Sequence, residues 1–186
     1  MGKFAAFILR LFGWKIDKRS PKGVKKCVVV VAPHTSNWDF IIGKLAFRSY
    51  GVKAKFLIKK EFFKPPFGWV LKGMGGIPVD RKKNNNLTES AVNHFNNNET
   101  MFMLFTPEGT RSYSPKWKKG FYYIAQKAKV PIYLAYMDYE KKTGGFHGVF
   151  ETTGNAGADI LEIKRILHQY KGKVVENGIR DEELIE

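Results

Sequence analysis

An α/β layered domain, with a central mixed sheet flanked by helices, is the fold class this sequence predicts. Three observations lead there. The run Cys-Val-Val-Val-Val-Ala at 27–32 is continuous and β-branched, as a strand buried on both faces requires. Further short apolar runs alternate with helix-periodic stretches along the chain, the pattern of layered α/β domains. The chain has 186 residues, 44% hydrophobic and 15% aromatic, enough to fill one core and too apolar for disorder.

The elements follow in order. Phe4, Phe7, Ile8, Leu11 and Phe12 recur at helical spacing, with Lys3, Arg10, Lys15, Lys18 and Arg19 around them. Arg10 interrupts the apolar stretch, which is far short of the ~20 residues of a spanning helix. A small-residue cleavage site is absent, and Ala6 stands where a myristoylation motif needs Ser or Thr. Two readings stay open: an amphipathic helix lying in a membrane interface, or one docked on the protein's own core. The first implies a peripheral, monotopic protein on the cytoplasmic face of a membrane. Residues 1–22 are taken as this basic amphipathic segment, and 23–186 as the layered domain.

Beyond Ser20-Pro21-Lys22-Gly23 come a strand at Cys27–Ala32 and a helix at Trp38–Ser49, with Thr35, Ser36 or Asn37 as N-cap. Ala54–Lys59 reads as a strand. Lys64–Gly76, with two prolines and several glycines among aromatics, reads as a loop or broken helix. A strand at Gly76–Asp80, a helix at Leu87–Asn96, a strand at Met101–Phe105 and a helix at Phe121–Lys129 follow. Strands at Pro131–Met137 and His147–Thr152 and an amphipathic helix at Ala158–Tyr170 complete the domain. The acidic tail Asp-Glu-Glu-Leu-Ile-Glu reads as a frayed end.

Lys and Arg number 32 against 17 acidic residues, a formal charge of +15. Such a surface suits phosphorylated small molecules, anionic lipid headgroups, acidic carrier proteins or nucleic acid. The single cysteine, Cys27, sits inside a strand, so it reads as a buried thiol and supports no disulfide framework or zinc site.

Three stretches carry chemistry. His34 follows the end of a strand, where ligands of α/β sheets bind, and Asp39 falls in the first turn of the next helix. A carboxylate on one imidazole nitrogen makes the other a general base for a hydroxyl. The enzyme's own nucleophile is missing, because no Gly-x-Ser-x-Gly elbow exists, so the hydroxyl belongs to a substrate. The alternative is a loop histidine satisfied locally. In Leu71–Arg81 the glycines are too irregular for a dinucleotide fingerprint, and Arg81 is placed either to fork onto a phosphate or to pair with Asp80. In Met101–Ser114 an apolar strand runs into Pro107-Glu108-Gly109-Thr110-Arg111, a turn that presents an Arg beside free amides and hydroxyls. Lys116, Lys118 and Lys119 follow beside Trp117, and the alternative for the stretch is a solvated basic loop.

Together, Pro-His-Thr-Ser-Asn-Trp-Asp, Gly-Gly-Ile-Pro-Val-Asp-Arg, Thr-Pro-Glu-Gly-Thr-Arg-Ser and Lys-Val-Pro-Ile-Tyr resemble, in order and spacing, the four blocks of the glycerolipid acyltransferase family. That family includes the bacterial 1-acylglycerol-3-phosphate (lysophosphatidic acid) acyltransferases. The resemblance covers residues 27 to 137. One departure is Thr106, directly before Pro107, where the family usually has Phe; here Phe105 lies one place earlier.

The resemblance implies that His34 is the general base and Asp39 its orienting partner. It also implies that Arg81, Glu108, Gly109, Thr110 and Arg111 bind the glycerol phosphate part of a lysophospholipid acceptor. The implied reaction is acyl transfer from acyl-CoA or acyl-carrier protein to the lysolipid hydroxyl, giving phosphatidic acid, with no metal or bound cofactor. The oxyanion would be held by donors such as amides at the start of the Trp38 helix. Three rivals are another lysolipid acceptor such as a lyso-aminolipid, a thioesterase-like hydrolase, and a basic nucleic-acid-binding module.

Overall fold

The computed structural model describes residues 2–65, 67–79 and 84–185. Helix α1 (Gly2–Leu11) and strand β1 (Lys15–Ile16) precede β2 (Lys26–Val31), α2 (Trp38–Ser49) and β3 (Ala54–Lys59). A 3-10 turn at Lys60–Phe63 then leads into α3 (Phe67–Gly73), β4 (Gly76–Val79), α4 (Asn84–Asn96) and β5 (Met101–Phe105). The remainder is α5 (Gly120–Ala128), β6 (Ile132–Asp138), β7 (Thr143–Phe150), α6 (Ala156–Leu167) and two short C-terminal 3-10 turns.

Seven strands form one mixed sheet in the order β1-β7-β6-β2-β5-β3-β4. Every pairing is parallel except β6 with β7. The Val run is the middle strand, and its alternation divides the core in two. Val28, Val30 and Ala32 pack with Phe121, Ile124 and Ile163 of α5 and α6. Cys27, Val29 and Val31 pack with Leu9 of α1 and with Ala46 and Phe47 of α2. Full burial on both faces explains why no polar residue interrupts the run. It also pushes the Cys27 thiol up to about 12, leaving it unionised.

Three elements differ from the sequence reading. Lys15–Ile16 joins the sheet edge beside Thr143–Gly144, and Trp14 is buried, so the N-terminal segment is built into the domain. Strand β7 starts at Thr143, four residues before the predicted start. Gly144–Gly145 looks like a turn signal, yet both pair in register with β6. The C-terminal tail is folded down: Glu183 ion-pairs with Lys164 at 2.6 Å, and both side chains are under a tenth exposed.

Helix α1 packs on α2 through Ala5 and Leu9, leaving Phe4, Phe7, Leu11 and Phe12 exposed. Among the described residues no helix is long and apolar enough to cross a membrane.

Candidate active site

Strand β2 ends at Val31, and the chain turns through a cis Ala32–Pro33 peptide to present His34. Asp39, in the first turn of α2, is 3% exposed. Its Oδ2 accepts from His34 Nδ1 and from the Thr35 and Ser36 amides, each at 2.9 Å. Its Oδ1 accepts from the Tyr139 hydroxyl at 2.5 Å. Burial by itself would raise this carboxyl. The hydrogen bonds from His34, Tyr139 and the Ser36 amide outweigh it and hold the group below the usual carboxylate range. An ionised Asp39 can only accept, so Nδ1 of His34 is the donor, and in the neutral ring the lone pair falls on Nε2.

Sequence spacing did not reveal Tyr139. It follows β6, its ring meets Trp14 edge-on at 5.0 Å, and its amide donates to the Lys171 carbonyl. Nearby, the Val174 amide donates to Thr35 Oγ1, so the C-terminal segment ties down the His34 loop. The first amides of α2, where an oxyanion donor was expected, are engaged: Trp38 bonds Ser36 Oγ, and just before the helix Thr35 and Ser36 bond Asp39. The Asp39 and Phe40 amides bond the Ser36 and Asn37 carbonyls. These five amides therefore stabilise the loop and helix start.

In the turn after β5, Gly109 has φ +70, a conformation that side chains strain to adopt, and its amide donates to the Thr106 carbonyl. The turn separates its side chains. Glu108 points inward, 6% exposed, and its Oε1 accepts from the His34 amide at 3.0 Å. Burial pushes its carboxyl up to about 7, against the pull of its own amide and that of His34. Grouped by resemblance with the acceptor-binding residues, Glu108 is buried here and braces the His34 backbone. Thr110 is exposed, and its hydroxyl accepts from the Ser112 amide at 3.3 Å. Arg81 lies outside the described residues.

A cavity of about 820 Å³ opens beside His34. Gly109, Arg111 and Lys118 also line it, and Phe40, Phe47, Phe56, Leu71, Leu104 and Phe121 make much of the rest. The stem of Lys118 would touch a Cβ at Gly109 and its amide donates to the Pro107 carbonyl, so Lys118 folds back onto the turn after β5. An apolar chamber whose wall also carries two cations and a paired imidazole can bury an alkyl chain and hold an anionic group.

The family model for Acyltransferase matches residues 15–137, most of the chain. The chain belongs to the Acyltransferase family. A curated relative, the 1-acyl-sn-glycerol-3-phosphate acyltransferase of Streptococcus pneumoniae, is 34% identical to this acyltransferase chain over 109 residues. The match covers 56% of the chain and 39% of the relative, so the acyltransferase chain spans well under half the relative's length. The crystal structure of the 1-acyl-sn-glycerophosphate (LPA) acyltransferase PlsC from Thermotoga maritima has a TM-score of 0.60 and 18% identity. It covers 92% of this acyltransferase chain and 79% of its own, a likeness of fold.

Proposed function

We propose that the protein moves a fatty acyl group from a thioester, acyl-CoA or acyl-carrier protein, to the free hydroxyl of a lysophospholipid. The best acceptor is 1-acylglycerol-3-phosphate. The observation that carries this is the 2.9 Å His34–Asp39 pair beside an apolar cavity that also holds Arg111 and Lys118. His34 Nε2 takes the proton of the acceptor hydroxyl, and the oxygen attacks the thioester carbonyl carbon. The tetrahedral intermediate collapses, the C–S bond breaks, and the imidazolium returns its proton to the thiolate. Asp39 stabilises the imidazolium between the two transfers. A phosphate monoester suits Arg111 and Lys118, which a lyso-aminolipid would engage only through an acidic group of its own. The reading also places the protein peripherally on a membrane, supported by the aromatic face α1 leaves exposed beside Lys3 and Arg10.

The test is an acyl-transfer assay over a panel of lysolipids with both donor types. Transfer is expected with the phosphate-bearing acceptor, and His34→Ala should lower kcat by roughly 10²–10⁴-fold with the melting curve retained. Near-wild-type turnover in that variant would end the assignment.

A further inference from the structure

The geometry points to a second membrane contact, distinct from α1: the segment from the Lys60–Phe63 turn through α3 is an insertion point for an anionic phospholipid bilayer, set at the wall of the cavity. It rests on the acyl-transfer reading only for the lipid that would then enter.

Phe62, Phe67, Trp69 and Val70 are all exposed, with Phe67 at 71% and Trp69 at 75%, although large aromatics rank among the side chains with most to gain from leaving water. Neighbouring Leu71 lines the cavity, so this short helix has one side toward the chamber and an unpartnered apolar side toward solvent. Lys59, Lys60, Lys64 and Lys72 are exposed around it, and Glu61 is the one acidic residue between 59 and 72. Apolar tips ringed by cationic stems match the boundary of an anionic bilayer, where aromatics sit at headgroup depth and lysines reach the phosphates. An acidic protein would answer the lysines but give the aromatics no reason to stand out of the fold.

The segment is built rather than loose. A Cβ on Gly68 would lie 2.2 Å from the Phe63 carbonyl oxygen, so only glycine lets α3 close against the preceding turn. At the far end Lys44 Nζ of α2 donates to the Met74 carbonyl, and the Met74 amide donates to Val70. The aromatics are held outward by a fixed support.

The experiment uses the full chain with phosphatidylcholine vesicles, with and without phosphatidylglycerol, read by co-sedimentation. Because α1 contributes independently, the readout is the ratio of partition coefficients between variant and wild type. Phe67→Ser with Trp69→Ser should lower partition on the order of a hundredfold, from two buried aromatics. Lys60→Gln with Lys64→Gln should lower it tenfold or more on the anionic vesicles alone, at roughly fivefold per lysine. An unchanged ratio in the aromatic variant overturns the proposal. So does a variant that loses self-association in the ultracentrifuge while still binding vesicles, since the face would then seat a second copy. In the transfer assay, turnover of a vesicle-embedded acceptor relative to a monomeric short-chain one should fall. A wild type with no transfer at all would sink the acyl-transfer reading while leaving the partition result to decide this one.

Discussion

Asp39 illustrates how one carboxylate can be over-determined. Four donors converge on its two oxygens, and one of them, Tyr139, comes from the far side of the chain. Hydrogen bonds to charged groups are worth about 1.5–3 kcal/mol, so the tyrosine contributes materially to keeping the acid ionised. Tyr139→Phe should lower kcat roughly tenfold, with little change in KM, and move the acid limb of the kcat/KM profile up by about one pH unit. A general loss of folded enzyme would leave that limb where it is, so the pH profile separates positioning from packing. His34 and Asp39 were legible because five residues and a strand-to-helix boundary join them. Tyr139 was not, because no local spacing links it to Asp39. Glu108 was legible as part of a block, but whether its side chain faces ligand or backbone depends on the Gly109 turn.

Elements were read well where the physical signal was one-dimensional. The Val run had to be a central strand because only a fully paired, doubly covered position tolerates six apolar residues in sequence. Helix α1 was harder. Periodicity identified its aromatic stripe, but the side that packs on α2 is the small one, Ala5 and Leu9. Apolar pattern reports what a residue can bury against, and does not say which partner is supplied. The tail misled for a related reason: an acidic run looks solvated until a buried cation is found for it. Lys164 is that cation, donating to Glu183 and to the Pro115 carbonyl at 2.6 Å each. Arg180 lies over the Tyr113 ring at 3.6 Å, so the same tail covers the loop after Arg111. Removing one partner of a buried pair strands the other, at about 3–5 kcal/mol. Glu183→Ala should therefore lower Tm by roughly 10 °C in a thermal scan.

For the whole molecule, two carboxyls of the site set opposite slopes in stability against pH. Asp39 is held below its ordinary value, so its contribution is present above about pH 3.8 and fades as pH falls below that. Glu108 is raised from 4.5 to about 7, so between those values the folded chain keeps a proton that the unfolded chain releases. Stability should fall across that window by about 3 kcal/mol. Glu108→Gln retains the acceptor for the His34 amide and should flatten this slope, giving a higher Tm than wild type at pH 8 but not at pH 4. Fold class and six of the seven strands were readable because strand and helix periods alternate cleanly. The strand order was not, since β1 finds its partner across most of the chain. That last pairing has a kinetic implication. Lys15 and Ile16 wait for Thr143 and Gly144 before their backbone is satisfied. During synthesis α1 can dock as soon as α2 has emerged, whereas the edge pairing of β1 waits while over a hundred later residues emerge. In that interval the backbone of Lys15 and Ile16 is open to a chaperone, so the N-terminal edge of the sheet is among the last parts of the domain to close.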